Sequence, residues 1–378
     1  MKYHEIRETG TGVADVIRPG GRPARLVTRY DDVLRVLRDQ ETFSREAALD
    51  ADDVDLEGTL LGLDADAHAR VRDVVRDRFT VRAAELLRGA VEERAAAALA
   101  AMTGRGEPAD LVGDFAIPFA LGTICDLLGV PPQDRPRFRA WGEAFLGTTA
   151  LTRADAEANA QAMGLYLWEL IERRRTEPTG DLLSRIAAGG GHLPIDRLVK
   201  LPIALLVGGW ETVAASVGTF VQVLLTHPYG GHPTGYAYLA DHPGEIPGAV
   251  RELERMFSTS AADAMPRRVT REVTLPSGAV LRPGEVVIPS HDAANHDPRV
   301  FPDPHRMDFA RTPNRHLSFG HGPHHCIGRH VGNAEVVVAL GLLTAELPRL
   351  RLAVPAEEVP RKAGHAISGP ARLPVAWS

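Results

Sequence analysis

Through the first two thirds of the chain, apolar residues recur every three or four positions, as in Val91 to Met102 and Ala154 to Arg175, a period that predicts amphipathic helices. Helix starts are legible where a capping residue precedes such a run: Thr28 or Asp31 before DDVLRVLRD, Asp64 before ADAHARVRDVVRDRF, and Leu193-Pro194 opening a long helix toward Leu225. The run after Asp64 reads as continuous, keeping His68 to Arg88 on one helix. Strand signals are fewer. Ala24 to Thr28, Val269 to Leu275, Ala279 to Leu281 and Val286 to Pro289 are short and rich in β-branched residues, with turns at Ser277-Gly278 and Pro283-Gly284. Pro228 to Pro247 is dense in Gly and Pro and leaves room for one short helix around Tyr236 to Asp241. The pattern predicts a mainly α fold with small β-sheets, the minor β-rich part formed by about 20–30 and 269–290. No repeat or low-complexity linker divides the chain, so a single domain over residues 1–378 is expected.

Composition narrows the function. Hydrophobic residues make up 44% of the 378 positions, enough for a sizeable core, while aromatics are only 6%, so Leu, Val and Ala must fill it. With 43 Lys+Arg against 49 Asp+Glu the formal charge is −6, and the absence of a basic excess argues against nucleic acid as a partner. Two cysteines, Cys125 and Cys326, fit a reducing cytoplasm better than a disulfide scaffold. Neither a signal peptide nor a membrane span is expected, since the longest apolar stretch, Leu201 to Leu206, contains Pro202 and runs into glycines and Glu211.

The densest chemistry lies at Phe319 to Gly328, FGHGPHHCIG, directly before the helical pattern GRHVGNAEVVVALGLLTAEL. Backbone N–H groups at a helix N-terminus stabilise a thiolate, and glycines let the backbone approach a flat ligand without Cβ clashes. A lone intracellular cysteine is otherwise a structural core residue. His321, His324, His325, Cys326 and His330 also crowd like zinc ligands, but structural zinc draws on two separated clusters, and Cys125 stands alone in the apolar run Phe115 to Leu128. The spacing of Phe319, Gly320, Gly322, His324, Cys326 and Gly328 resembles the cysteine-ligand loop of the cytochrome P-450 family.

Three further segments carry the same resemblance. Glu252 and Arg255 lie one helical turn apart, which alone describes a solvated surface pair. With FPDPHRMDF at Phe301 to Phe309 they resemble the family's buried Glu-Arg-Arg network, Arg306 being the third member. LLVGGWETVAAS, Leu205 to Ser216, is similar to its oxygen-binding groove, which implies that Gly208 and Gly209 admit dioxygen and porphyrin and that Glu211 and Thr212 handle protons. A mid-helix glycine costs about 1 kcal/mol relative to Ala, so a reason is needed, and close helix packing is the other one available. Trp210, between them, is read as packing behind the helix. His68 and Arg72 share a helix face and, with Arg267 and His324, match the residues that hold heme propionates.

The resemblance runs from Arg22 to the RLPVAW end. It implies a cytochrome P-450 fold with heme b between the long central helix and the cysteine-loop helix, Cys326 as its axial thiolate, and a monooxygenase that uses O2 and electrons from a ferredoxin and ferredoxin reductase. A small natural-product substrate is expected, hydroxylated in the first reading and oxidatively coupled (C–C or C–O) in the second. A non-catalytic heme sensor would lack the acid and alcohol that Glu211 and Thr212 supply. By the same analogy Glu46 to Leu61, Phe145 to Met163, the central helix and Phe257 to Met265 line the substrate site, where Asp50, Asp52, Asp53, Asp55 and Glu57 would favour a neutral or cationic ligand if they faced it.

Overall fold

The structure is a computed structural model and describes residues 3–18, 21–51, 56–146, 153–191, 193–258, 265–362 and 367–378. The chain forms two compact units: Met1–Asp73 with Arg251–Ile327, and Val74–Val250 with Gly328–Ser378. Both draw on distant parts of the sequence.

The first unit carries helices α1 (Tyr3–Glu8), α2 (Tyr30–Arg38) and α3 (Ala65–Asp73), with strands β1 (Val13–Arg18), β2 (Arg22–Val27) and β3 (Phe43–Ser44). In the second unit lie β4 (Ala109–Asp110) and the helices α4 (Val81–Thr103), α5 (Ile117–Leu128), α6 (Arg135–Leu146), α7 (Arg153–Thr176), α8 (Leu182–Gly189), α9 (Ile195–Thr226) and α10 (Gly235–Asp241). α11 (Ile246–Met256) leads back to the first unit, which adds β5 (Arg267–Val269), β6 (Val273–Thr274), β7 (Val280–Leu281), β8 (Val286–Pro289) and α12 (His291–Asn295). The second unit closes with α13 (Arg329–Glu346), β9 (Arg351–Leu352) and β10 (Pro374–Ala376).

The sheet of the first unit has the order β1-β2-β8-β5-β3, with β2 parallel to β8 (Arg25 opposite Val287) and the other pairs antiparallel. Val27, Val33, Phe43, Val269, Leu281, Val287, Phe301 and Leu317 form its core. β6 and β7 make a separate two-stranded ribbon. Strand β1 escaped the hydrophobic pattern because its sequence VADVIR is that of an edge strand, with Ile17 and Asp15 turned to solvent. The start of α2 also differs from expectation. Neither Thr28 nor Asp31 caps it: the Thr28 hydroxyl donates to Gly12 O (2.6 Å), and the free N–H of Tyr30 is taken by the Asp297 carboxylate at 3.0 Å.

In the second unit α9 runs 32 residues through Pro202 and is largely buried, and its start after Pro194 matches the sequence pattern. The helix expected from His68 through Arg88 is broken. α3 stops at Asp73, a 3₁₀ turn covers Arg76–Phe79, and Thr80 restarts α4 by accepting the Ala83 N–H at 3.2 Å. Cys125 sits fully buried in α5, where burial pushes its thiol up to about 12. Leu111–Leu128 and Ile195–Thr226 are long and apolar enough to cross a membrane by length and composition, yet most of each is buried inside the fold, as in core helices. α10 matches the short helix read in the Gly/Pro-rich segment, which goes beyond the reading by also holding a 3₁₀ turn at Pro243–Glu245 and the start of α11 at Ile246.

Candidate functional site

The cysteine loop is shaped by its own backbone. Gly320 (φ 70°) and Gly322 (φ 72°) adopt left-handed conformations, and a Cβ on Gly322 would stand 2.6 Å from Leu37 O of α2. Gly320 N donates to Leu317 O at 2.8 Å, His325 N to Gly322 O at 3.0 Å, and Cys326 N to Phe319 O at 2.8 Å. These bonds leave Cys326 exposed shortly before Gly328, which caps α13 in the chain.

A carboxylate braces this loop from behind. Glu252 and Arg255 are both fully buried, with Arg255 Nε and Nη2 donating to the two Glu252 oxygens at 2.9 and 2.8 Å. Glu252 also accepts from Arg311 Nε (3.0 Å), Asn314 Nδ2 (3.0 Å) and Asp308 N (3.2 Å). Arg306, expected as the third member, has an exposed side chain and supplies only its carbonyl, to Arg311 Nη2 at 3.0 Å. The third member is Arg311. From Arg255 the bracing continues through Nη1 to Asn295 O (2.8 Å), and the Asn295 side chain accepts from Leu317 N (2.6 Å) and donates to Ser318 Oγ (2.8 Å).

Two predicted residues, Arg72 and His68, lie beside the loop, and His68 meets a third, His324, within it. Arg72 Nη2 donates to His325 O at 2.7 Å, and the rings of His68 and His324 lie 4.4 Å apart. Asp64, read from sequence only as a helix cap, also accepts from His324 Nε2 (3.3 Å), Ser44 Oγ (2.6 Å) and Glu46 N (3.0 Å). Burial would raise its pKa, but these hydrogen bonds and the His324 charge outweigh it and hold the carboxyl down at about 2. His68 is lowered to about 4, by burial first and then by His324 and Arg72. His324 is lowered by burial, partly offset by its bond to Asp64. Arg267, also buried, donates to the carbonyls of Met265 and Pro266 at 3.3 Å and lowers His324 further.

On α9 of the second unit the paired glycines have different surroundings. Gly208 faces open space, whereas a Cβ on Gly209 would meet Ile124 of α5 at 2.9 Å, so Gly209 serves close helix packing. Thr212 Oγ1 donates back to Gly208 O at 2.6 Å. Glu211 is buried and forms an ion pair with Lys362, a residue no local motif signalled. Trp210 is fully buried, as expected of a side chain behind the helix.

Of the acidic residues placed near a substrate, Asp50 is instead engaged by Arg268 Nη2 at 2.6 and 2.7 Å. Asp52, Asp53 and Asp55, with parts of Phe145 to Met163 and Phe257 to Met265, lie outside the described residues.

The donor set suits a heme. His68 Nε2 is buried with no hydrogen-bond partner, the kind of orphaned donor a propionate would satisfy, and Arg72, Arg267 and His324 add cationic or donor groups. A sequence model described as cytochrome P-450 matches residues 248–366. The chain is 40% identical over 384 residues to mycinamicin IV hydroxylase/epoxidase of Micromonospora griseorubida, covering 100% of this chain and 95% of that protein. It is 38% identical to nocardicin C N-oxygenase of Nocardia uniformis subsp. tsuyamanensis, covering 95% and 91%. Among solved structures it superposes on the mixed-function P-450 MycG with a TM-score of 0.90 at 39% identity, covering 100% of this chain and 96% of that one. Likeness of this extent, over a fold that is mostly helical with small sheets, places the chain in the cytochrome P-450 family of heme-thiolate oxygenases.

Proposed function

We propose that this protein is a soluble, cytoplasmic monooxygenase that hydroxylates a small natural product, takes electrons from a ferredoxin reduced by a ferredoxin reductase, and works as one domain over its 378 residues. The observation that carries the reading is the exposed thiol of Cys326, on a loop fixed by its bonds to Phe319 O and Gly322 O. Relatives named for mycinamicin IV and nocardicin C support a natural-product substrate.

Heme b, when bound, would supply the activation of dioxygen. Every other task falls to side chains. Cys326 would be the heme ligand, with Phe319 and Gly328 framing the loop that presents it. His68, Arg72, Arg267 and His324 would hold the heme propionates through charge-assisted bonds. Gly208 keeps the α9 backbone approachable, since no neighbour lies within 4 Å of a Cβ placed there. Glu211, buried and paired with Lys362, and Thr212, whose hydroxyl donates to Gly208 O at 2.6 Å, are the two residues that handle protons on this helix.

Exposed arginines support an acidic electron donor: Arg70 and Arg315 in the first unit, and Arg76, Arg82, Arg88 and Arg329 in the second.

The test is spectroscopic and chemical. The reduced, carbon monoxide-treated protein should show thiolate-type absorption that Cys326→Ser loses, because a soft sulfur is replaced by a poor oxygen ligand. With a surrogate ferredoxin and reductase, NADH consumption should track a product carrying one added oxygen atom. A product that has lost two hydrogens and gained no oxygen would show coupling chemistry instead. Retention of the spectrum in Cys326→Ser would overturn the ligand assignment.

A further inference from the structure

Within the second unit, the acid of α9 is bound by a cation from the far end of the chain. Lys362 and Glu211 form a direct ion pair, with side chains 9% and 6% exposed, across a sequence separation of 151 residues. Burial of both groups makes the pairing obligatory, since a lone charge in that setting carries a desolvation penalty of several kcal/mol. The segment holding Lys362 is seated on the same helix. Lys362 N donates to Gly369 O at 3.0 Å, and Ala371 N to Pro360 O at 2.7 Å. A Cβ on Gly369 would stand 3.3 Å from both Ala215 Cβ and Thr219 Oγ1, one and two turns beyond Glu211 on α9. On the opposite partner, a Cβ on Gly218 would meet Pro370 at 3.0 Å. Small residues on both sides therefore let the C-terminal segment lie close along α9, which aims Lys362 at Glu211.

We propose that Lys362 is the positioning residue for Glu211, fixing the place and charge of that carboxylate from the C-terminal segment. The inference rests on the reading of Glu211 and Thr212 as the proton-handling pair. Without Lys362 the carboxylate is still present but is no longer held where Thr212 can draw on it.

Two measurements test this. In thermal unfolding of the purified protein, with and without heme, Lys362→Met and Glu211→Gln should each lower Tm, and the double variant should lie above the sum of the two losses, as expected when both halves of a buried pair are removed together. In turnover with a surrogate ferredoxin and reductase, Lys362→Met should keep the substrate-induced heme spectral shift while product formation falls about tenfold and hydrogen peroxide rises; that is milder than the ~10²-fold or greater loss from deleting a proton donor outright. Lys362→Arg, which retains the charge, should restore coupling. If Lys362→Met does not accumulate folded, Lys362→Gln takes its place with the same expectations. Additive Tm losses, or normal coupling in the uncharged variant while Thr212→Ala releases peroxide, overturn the role of Lys362 alone. Normal coupling in Thr212→Ala overturns the proton-handling reading itself.

Discussion

Arg311 Nε donates to Glu252 Oε1 at 3.0 Å, and the two side chains are 9% and 0% exposed. Arg311→Ala therefore leaves a fully buried carboxylate short of one counter-ion, at a cost of about 3–5 kcal/mol, a large share of the ~5–15 kcal/mol that typically holds a domain together. Arg306→Ala removes an exposed side chain and should change stability by about 0.5 kcal/mol or less. Thermal unfolding and heme content of the two variants check the contrast. Equal losses would return Arg306 to the network.

Gly322→Ala should be far more damaging than Gly284→Ala. Both glycines have positive φ, 72° and 90°, which costs an L-residue roughly 1–2 kcal/mol. A Cβ on Gly284 meets nothing within 4 Å, whereas one on Gly322 collides with the Leu37 carbonyl at 2.6 Å. The expected outcome is a small Tm loss at Gly284 and, at Gly322, a displaced cysteine loop seen as reduced thiolate-type absorption.

Stability should fall as pH drops from about 6.5 to about 4. His68 and His291 are both lowered from 6.5 to about 4, burial being the main cause in each and Arg267 adding to it at His291. Between those values the unfolded chain binds protons that the folded chain refuses, so unfolding free energy rises with pH through this window and levels off above it. Asp64, held at about 2 against 3.8, contributes in the same direction only below about 4. Tm measured from pH 8 to pH 4 should show the decline, and His291→Gln should flatten it. A curve flat down to pH 4 would contradict the burial of these rings.

Reduction by an acidic ferredoxin should slow as salt rises, because exposed charges more than a Debye length apart, about 10 Å at 0.1 M, are screened. Arg76→Glu should lower the rate at low salt and weaken its salt dependence. A rate indifferent to both would place the electron donor elsewhere.

How far the sequence could be read depended on the range of the interaction. Val286 to Pro289 emerged as a strand with the predicted bounds, because a run of β-branched residues after Pro283-Gly284 is a local signal. The break between α3 and α4 was also locally signalled, by the Thr80 cap, but the apolar period across VRDVVRDRF masked it. The cysteine loop, the Glu252–Arg255 turn and the His68–Arg72 pair were legible through their spacing. Arg311 was not, because choosing between two arginines five positions apart requires knowing where the chain turns between Pro302 and Asn314. Lys362 was still further out of reach: its partner lies 151 residues away, and only the packing of the C-terminal segment on α9 unites them.

Glu252 accepts five donors on its two oxygens: two from Arg255 and one each from Arg311, Asn314 and Asp308 N. All five come from the polypeptide, as do the bonds that run from Arg255 through Asn295 to Leu317 and Ser318. The conformational entropy of the segment leading into the cysteine loop is thus given up when the polypeptide folds. Cofactor capture then resembles the docking of a rigid plate into a finished frame, a process whose heat-capacity change should reflect the surface it covers rather than a coupled folding of the loop.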